Sequence, residues 1–438
     1  MNVSLSPYHL NKARDLYNIF NFFNAFSYSL LAGNIITLFA MRLNASSTFI
    51  GLLNALVYCA FFFLPLGKVL FKRFSIIKIY GGTWILRAVT MIPLLFVPPA
   101  VSGGRHDLAL SLTFLGVLSF HVCRGVGLIA NNPVLNELAI GPDRGSYITQ
   151  IQIINNAVTM FASFAIALLL GRDPPLLLYA GIMAVGIIGG IFSGFLLRNI
   201  PEPDNEREEG DFFAIAKEAF SKASLRRFIV IFLLAALVSA VARAFIVVYS
   251  KEVFLQGDGM ISLYTVFGSL GALMMGLITK LLVDRIGAKP LFITCVITGF
   301  ISLLPTIFFP AGAAENVTTV ILFLTFLHFI VNFGFIGAEG VAQTYFLALV
   351  PPKDMMNMGI LYHFVFGVAG AGGSLAAGLL LDMFLGFGVA AFLAYKILFS
   401  VLLVILVLVL ILQKNLIPLG ALPFRGALEV MFSFRDLR

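Results

Sequence analysis

The sequence predicts an all-α integral membrane protein with twelve transmembrane helices in two six-helix repeats. Three observations support this: the composition, the number of long apolar runs, and an internal repeat. Of the 438 residues, 60% are hydrophobic and 11% are charged, and the mean hydropathy is +1.00. A soluble domain carries roughly 25% charged residues, so this chain has too few to cover a soluble surface. The composition excludes a cytosolic enzyme, a disordered chain and a nucleic-acid binder, although the net charge is +8.

Long apolar runs account for each predicted helix in order along the chain. A helix needs about 20 apolar residues to cross the hydrocarbon core. Turn signals such as Pro98-Pro99, Asp173-Pro174-Pro175 and Pro351-Pro352 separate several runs. The predicted spans are 16–41, 49–70, 76–98, 108–131, 146–171, 175–198, 227–249, 259–283, 288–309, 318–348, 355–384 and 387–413.

The longest internal polar stretch lies between spans six and seven and divides the chain into two sets of six. We therefore predict an N-terminal six-helix bundle at 1–200, a cytoplasmic linker at 201–226, a C-terminal six-helix bundle at 227–413 and a cytoplasmic tail at 414–438. From Asp211 onward the linker shows helical apolar spacing opposite basic residues, which is typical of an amphipathic helix on the inner leaflet. A solvated linker helix without a role is the alternative.

The basic residues predict the orientation. With a cytoplasmic amino terminus, 21 of the 29 Lys and Arg residues fall in inside segments and 4 in outside loops. Cytoplasmic loops carry such an excess in membrane proteins. Both termini are therefore predicted to be cytoplasmic, in the plasma (inner) membrane.

An internal repeat supports duplication of a six-helix unit. At an offset of 212 residues, Lys68 matches Lys280 and Arg73 matches Arg285 in the loops after spans two and eight. Nearly the same offset pairs the prolines that follow spans four and ten. Parallel repeats of this kind occur in transporters that hold their substrate between two halves.

The segment Asp284-Arg285-Ile286-Gly287-Ala288-Lys289-Pro290 resembles the loop signature of the major facilitator superfamily, D-R-x-G-x-[KR]. Twelve spans and a repeat near half-length extend this resemblance to almost the whole chain. It implies the fold of that superfamily and a gating role for Lys72, Arg73, Asp284, Arg285 and Gly287. The first copy departs from the signature, because Lys72 replaces the expected Asp and Ser75 replaces the expected Gly.

Polar side chains inside the spans are the candidates for substrate binding, because such groups are costly in lipid and usually face a cavity. The resemblance implies that spans one, four, seven and ten line that cavity, and span five adds a polar stripe. His121, Arg124 and Asn131 are expected on one face of span four. The candidate substrate-binding residues are Asn24, Tyr28, His121, Arg124, Asn155, Asn156, Arg243, His328 and Asn332.

The charge balance of these spans favours an anionic substrate. Arg124 and Arg243 are opposed by one clearly intramembrane carboxylate, Glu339. An anion would offset unpaired guanidinium charge through charge-assisted hydrogen bonds. The alternative is that Arg124 pairs with Glu339 while Arg243 binds carbonyls or water. Glu339 is also the candidate coupling residue, with a permanently ionised structural role as its alternative. Arg87, beside Trp84, is expected to have a structural partner.

These features predict a secondary active transporter that moves a small anionic organic solute by alternating access, with a proton or other ion gradient as driving force. No GxxxxGK[ST] loop and no catalytic motif occurs in the sequence, so neither ATP-driven transport nor an enzyme is expected. A channel or scramblase remains an alternative. Within the transporters, the runner-up is an exporter or flippase of amphipathic compounds such as drugs or lysophospholipids. The expected partners are the substrate and membrane lipid, without nucleic acid, cofactor or metal, and the expected state is a monomer.

Overall fold

The computed structural model describes residues 7–71, 73–138, 144–201, 217, 220–310, 316–350, 355–419 and 421–432. Within these ranges all regular secondary structure is helical. Twelve helical segments of the described chain are long and apolar enough to cross a membrane, which confirms the predicted fold class. They are Leu10–Arg42, Ser47–Phe71, Ile76–Ser102, His106–Leu128, Gln150–Leu170, Leu176–Arg198, Ala223–Glu252, Asp258–Val283, Ala288–Phe308, Val317–Phe346, Met358–Gly386 and Ala391–Asn415.

The first three spans are broken helices. Span one is interrupted at Gly33, whose φ of 63° is in the region that favours glycine. Span three contains Pro93, Pro98 and Pro99, which lack the backbone N–H that an α-helix uses. These spans consist of Pro7–Leu31 and Asn34–Arg42, then Ser47–Cys59, Ala60–Phe63 and Leu64–Phe71, then Ile76–Val89, Ile92–Phe96 and Val97–Ser102.

The other spans are single helices, with short helices beside some of them. The remaining helices are His106–Leu128, Asn131–Leu138, Arg144–Leu170, Leu176–Arg198, Ala223–Glu252, Asp258–Ile286, Ala288–Phe308, Val317–Leu349, Met355–Gly386, Ala391–Leu412, Gln413–Asn415 and Phe424–Phe432.

The expectation that Asn131 shares a helix face with Arg124 is wrong. The helix of span four ends at Leu128, and a new helix begins at Asn131. Pro133 lies in the first turn of this new helix, where a missing N–H costs little. Tyr17 and Tyr80 both donate to Asn131 Oδ1, at 3.2 and 3.0 Å, so this side chain ties spans one and three to the end of span four.

The chain forms two compact units. The first contains Met1–Glu208 with Gly257–Leu263, and the second contains Glu209–Gln256 with Tyr264–Arg438. The amphipathic helix predicted from Asp211 lies almost entirely outside the described residues.

The helix pairings inside each unit follow the same scheme. In the first unit, span one packs against spans five and six, and span three packs against spans four and six. In the second unit, span seven packs against spans eleven and twelve, and span nine packs against spans ten and twelve. These four pairings correspond one to one under the sequence repeat, as expected for a duplicated six-helix unit.

Small residues bring the helices of the first unit close together. A Cβ atom at Gly190 in span six would lie 2.7 Å from Ser27 Oγ and 2.8 Å from Ala88 Cβ. Ser27 also donates to the carbonyl of Gly186 at 2.7 Å. The backbones of spans one, three and six therefore lie close together. This contact places span three against the polar face of span one.

The carboxyl-terminal segment packs on the second unit. Lys289 Nζ donates to the carbonyl of Leu416 at 2.6 Å, and Tyr345 donates to the carbonyl of Ile417 at 2.9 Å. The backbone N–H of Leu422 donates to the carbonyl of Ile286 at 3.0 Å. The tail thus lies against the loop between spans eight and nine, which holds three of the predicted gating residues, Asp284, Arg285 and Gly287.

Candidate functional site

A buried arginine fixes a polar side chain of span one in the first unit. Arg87 is 1% exposed, and its Nη2 donates to Asn24 Oδ1. Trp84 Nε1 donates to the same oxygen at 2.9 Å. The guanidinium also lies over the ring of Trp84, with Cζ 4.3 Å from the ring centroid. Arg87 therefore has the structural partners that the sequence predicted.

Arg124 lies among a carbonyl and aromatic rings. Its Nη1 donates to the carbonyl of Val57 at 3.3 Å. Its Cζ lies 5.3 Å from the ring centroid of Tyr28 and 5.9 Å from that of Phe61. Arg124 and Arg87 repel each other electrostatically. The structure therefore brings the candidates Asn24, Tyr28 and Arg124 together around two positive charges.

His121 lies one turn before Arg124 and is 2% exposed. Its Nδ1 is buried without a hydrogen-bond partner among the described residues. The imidazole lines a small pocket with Gly33, Thr37 and Asn54. A single water molecule or a polar ligand atom would satisfy this nitrogen.

The carboxylates of the described spans in the first unit do not neutralise Arg87 or Arg124. Asp15 and Asp107 are exposed to the surroundings near helix ends. Asp258, in contrast, is fully buried and accepts from Arg42 and Tyr179. Leaving the charges of Arg87 and Arg124 uncompensated in a low-dielectric interior costs free energy, so these two arginines favour the binding of an anion.

Span five carries two further candidates, Asn155 and Asn156. Asn156 is exposed, and Asn155 is half-buried with its Oδ1 unpartnered among the described residues.

The second unit holds the intramembrane carboxylate. Arg243 Nη1 lies 3.4 Å from Glu339 Oε1, and Ser239 donates to the same oxygen. The Tyr362 hydroxyl donates to the backbone carbonyl of Glu339 at 3.3 Å. The side chains of Arg243 and Glu339 are 33% and 23% exposed. The part of the alternative in which Arg243 binds carbonyls or water instead of a carboxylate is therefore wrong, because span seven places Arg243 beside Glu339.

His328 and Asn332 lie deeper in the second unit. His328 is 2% exposed and lies 3.2 Å from Ser250 Oγ through its Nε2. Asn332 Nδ2 donates to the carbonyl of His328 at 2.9 Å. Both side chains already have protein partners in this structure.

The two loop copies begin the helix that follows them in different ways. Gly287, at the amino end of span nine, has φ 87° and ψ 161°, a conformation that only glycine adopts readily. Ser75, at the equivalent place, has ordinary extended angles, and its hydroxyl accepts from the N–H of Lys78 at 3.3 Å. The departure from the signature is therefore a replacement of glycine by a side-chain cap.

The other predicted gating residues are Lys72, Arg73, Asp284 and Arg285. Arg73 is exposed, whereas Lys72 lies outside the described residues, as does the side chain of Asp284. Arg285 is also exposed and lies in the last turn of its helix.

Sequence reasoning missed one charged cluster of the first unit. Arg42 Nε donates to Asp258 Oδ2 at 2.7 Å, and Tyr179 donates to the same oxygen at 2.7 Å. Arg42 also pairs with Asp173 and donates to the carbonyl of Arg172 at 3.1 Å. Asp258 stands at the start of an apolar run and resembles a helix cap, so its sequence gives no signal that it is 0% exposed.

Among the described residues, no group of three or more His, Cys, Asp or Glu side chains is placed to hold a metal ion.

Two six-helix units with equivalent pairings and ionisable side chains inside their spans define a multi-pass membrane transport protein. The family model of the Major Facilitator Superfamily matches residues 18–374. The chain therefore belongs to the Major Facilitator Superfamily, as the loop signature indicated. No curated protein matches the sequence significantly.

Solved structures with a similar fold are also transporters. A mutant form of the nucleoside transporter NupG has a TM-score of 0.70 and 14% identity, covering 92% of this chain and 99% of its own. A bacterial homologue of the iron transporter ferroportin, in its inward-facing state, has a TM-score of 0.66 and 15% identity, covering 92% and 98%. A D-xylose–proton symporter has a TM-score of 0.64 and 15% identity, covering 93% and 98%. At these identities the likeness concerns the fold alone.

Proposed function

We propose that this chain is a secondary active transporter that moves a small organic anion across the membrane by alternating access. The observation that carries the proposal is the pair of guanidinium groups in the first unit. The partners of Arg124 and Arg87 are a carbonyl, an amide and aromatic rings. A carboxylate or phosphate supplies the missing negative charge through charge-assisted, often bidentate hydrogen bonds.

The second unit supports a different role, coupling to protons. Glu339 and Arg243 form a pair that is partly exposed, so a proton can reach the carboxylate. Protonation removes the charge of Glu339 and with it the attraction that holds Arg243. A proton gradient can therefore change the arrangement of span seven relative to span ten within this unit. The fold neighbour named as a D-xylose–proton symporter makes proton coupling compatible with this architecture.

The proposal places the protein as a monomer in the plasma (inner) membrane, with both termini in the cytoplasm. The excess of 21 inside over 4 outside basic residues supports this orientation. Each unit contains its own set of packed helices, so membrane insertion does not require a second copy.

A thermal-shift screen of the purified protein tests the anion. The panel contains acetate, lactate, succinate, benzoate, phenyl phosphate and glucose 6-phosphate, each with a neutral analogue, and cationic and neutral amphiphiles. We expect at least one anion to raise the melting temperature more than its neutral analogue. Stabilisation by amphiphiles alone would overturn the anion proposal and favour an exporter of amphipathic compounds.

Counterflow in proteoliposomes tests the carrier mechanism. Preloading the vesicles with unlabelled anion is expected to accelerate uptake of the labelled anion, and the flux is expected to saturate. Flux that rises linearly with concentration and ignores preloading would identify a pore instead.

A further inference from the structure

The hydrogen bonds of Asn24 determine which end of its amide is available to a ligand. Its Oδ1 accepts from both Trp84 Nε1 and Arg87 Nη2. An amide oxygen has two lone pairs, so these two donors fill it. The two donors also fix which atom of the Asn24 amide is oxygen and which is nitrogen. If the amide were reversed, its NH₂ group would face the N–H groups of Trp84 and Arg87, and none of the three could accept. The amide nitrogen therefore points away from Arg87 with its two N–H groups.

The polar groups near Asn24 Nδ2 are also able to donate hydrogen bonds. Tyr28 lies one helical turn further along span one, on the same face. Arg124 lies beside the Tyr28 ring and uses Nη1 for the carbonyl of Val57. Among the described residues, Asn24 Nδ2, the Tyr28 hydroxyl and Arg124 Nε and Nη2 have no hydrogen-bond partner. All of these groups are able to donate.

Asn24 Nδ2 and the Arg124 guanidinium only donate and the Tyr28 hydroxyl is able to donate, so together these groups select a ligand that accepts. An ionised carboxylate or phosphate accepts and also carries negative charge, whereas an amide or an ammonium group bears N–H donors and an ester lacks the charge. The positive charge of the buried Arg87 behind the amide strengthens this selection. The rings of Tyr28, Phe61 and Phe120 lie against the two guanidiniums, so an aromatic or apolar body next to the anionic group has a surface to pack on.

We propose that Arg87 and Trp84 are positioning residues that hold Asn24 as a donor, so that Asn24, Tyr28 and Arg124 form an oxyanion-recognition site inside the first unit. This inference rests on the proposed transport of an anion and assigns its recognition to one unit. Arg87 acts through Asn24, because its own guanidinium is covered by Trp84, Phe120 and the amide.

Replacing Asn24 by Asp tests this site with minimal change of shape. The new carboxylate still accepts from Trp84 and pairs with Arg87, so the melting temperature of the unliganded protein is expected to stay level or rise. The second carboxylate oxygen replaces the amide nitrogen and turns a donor into a negatively charged acceptor. We expect binding of anions to weaken by about tenfold or more, since a charge-assisted bond is lost and a repulsion is added.

The probes are benzoate, phenyl phosphate and the neutral isostere benzamide, titrated against the purified protein in a thermal-shift assay. Benzoate and phenyl phosphate separate a carboxylate from a phosphate preference, and benzamide reports non-specific binding of the ring. Asn199→Asp is the matched control, because it adds the same charge at an exposed position at the end of span six. Trp84→Phe keeps an aromatic ring but removes one donor to Asn24, and we expect it to weaken benzoate binding by about threefold.

The outcomes separate the two proposals. If wild-type protein responds to benzoate or phenyl phosphate and Asn24→Asp responds equally, the site is elsewhere and only this inference is wrong. If wild-type protein responds to neither probe and to no anion of the wider panel, the proposed anion transport fails as well. If Asn24→Asp does not fold, the Trp84→Phe titration decides, and unchanged benzoate affinity in that variant overturns the inference.

Discussion

Arg243 Nη1 lies 3.4 Å from Glu339 Oε1, and this pair is contained within one six-helix unit. The carboxylate therefore neutralises the arginine of its own unit. Arg87 and Arg124 of the other unit have no carboxylate partner among the described residues. This asymmetry between the repeats is the basis for assigning anion recognition to the first unit and proton coupling to the second.

Glu339→Gln is expected to abolish uphill accumulation while sparing counterflow. The amide keeps the shape and the hydrogen bond from Ser239 but cannot take up and release a proton. The measurement uses proteoliposomes with an imposed pH gradient and the anion that stabilises the protein most. Glu252→Gln is the control, because Glu252 accepts from Tyr395 at 2.7 Å and has no part in the proposed coupling. Accumulation that persists in Glu339→Gln would remove Glu339 from the mechanism.

Arg243→Met is expected to lower the free energy of unfolding, and a second substitution, Glu339→Gln, is expected to restore part of the loss. The single variant leaves a carboxylate in the span without its cationic partner. Both side chains are partly exposed, so we expect a coupling energy of about 1 kcal/mol in the double-mutant cycle. If the two substitutions had additive effects on the free energy of unfolding, Arg243 and Glu339 would not stabilise each other.

Arg42→Gln is expected to destabilise the protein by about 3 kcal/mol, because it removes the cation next to the fully buried carboxylate of Asp258. Asp173→Asn breaks the other ion pair of Arg42, but Asp173 is 82% exposed. We therefore expect that variant to lose less than about 1 kcal/mol. Thermal unfolding of both variants in one detergent measures the difference, and equal losses would show that burial of Asp258 does not govern its contribution.

Gly287→Val is expected to destabilise the loop between spans eight and nine by about 1–3 kcal/mol. A Cβ atom at this position would lie 2.4 Å from Ala421 Cβ, and the backbone angles are unfavourable for any other residue. The variant should also expose the tail to limited proteolysis, because the tail packs at this point. Gly276→Ala is the control, since a Cβ atom there meets nothing within 4 Å. Full resistance of the tail in Gly287→Val would contradict the predicted loosening.

Much of the fold follows from local patterns. The number of spans depends on the length and apolarity of each run, which the sequence carries directly. The loop signature indicated the family, and the repeat predicted a duplicated six-helix unit, with which the equivalent helix pairings in both units agree. The end of span four was predicted three residues too late, because apolar content continues past Leu128 while the helix stops there.

The candidate site was less accessible to sequence reasoning. Helical spacing alone brings Asn24 near Tyr28 and Ser239 near Arg243, because the members of each pair are one helical turn apart. It did not reveal that Arg87 reaches Asn24 or that Asp258 is buried against Arg42 and Tyr179. Those contacts join residues that are 63 to 216 positions apart in the chain.

The sequence by itself determined the class of protein, the count of membrane-crossing helices and the surplus of positive charge inside the spans. Only the tertiary structure decided that Glu339 neutralises Arg243 and that Asn24 presents its nitrogen. The physical reason is that periodicity defines which side chains share a helix face, whereas the partner of a face depends on how each helix is rotated and packed against its neighbours.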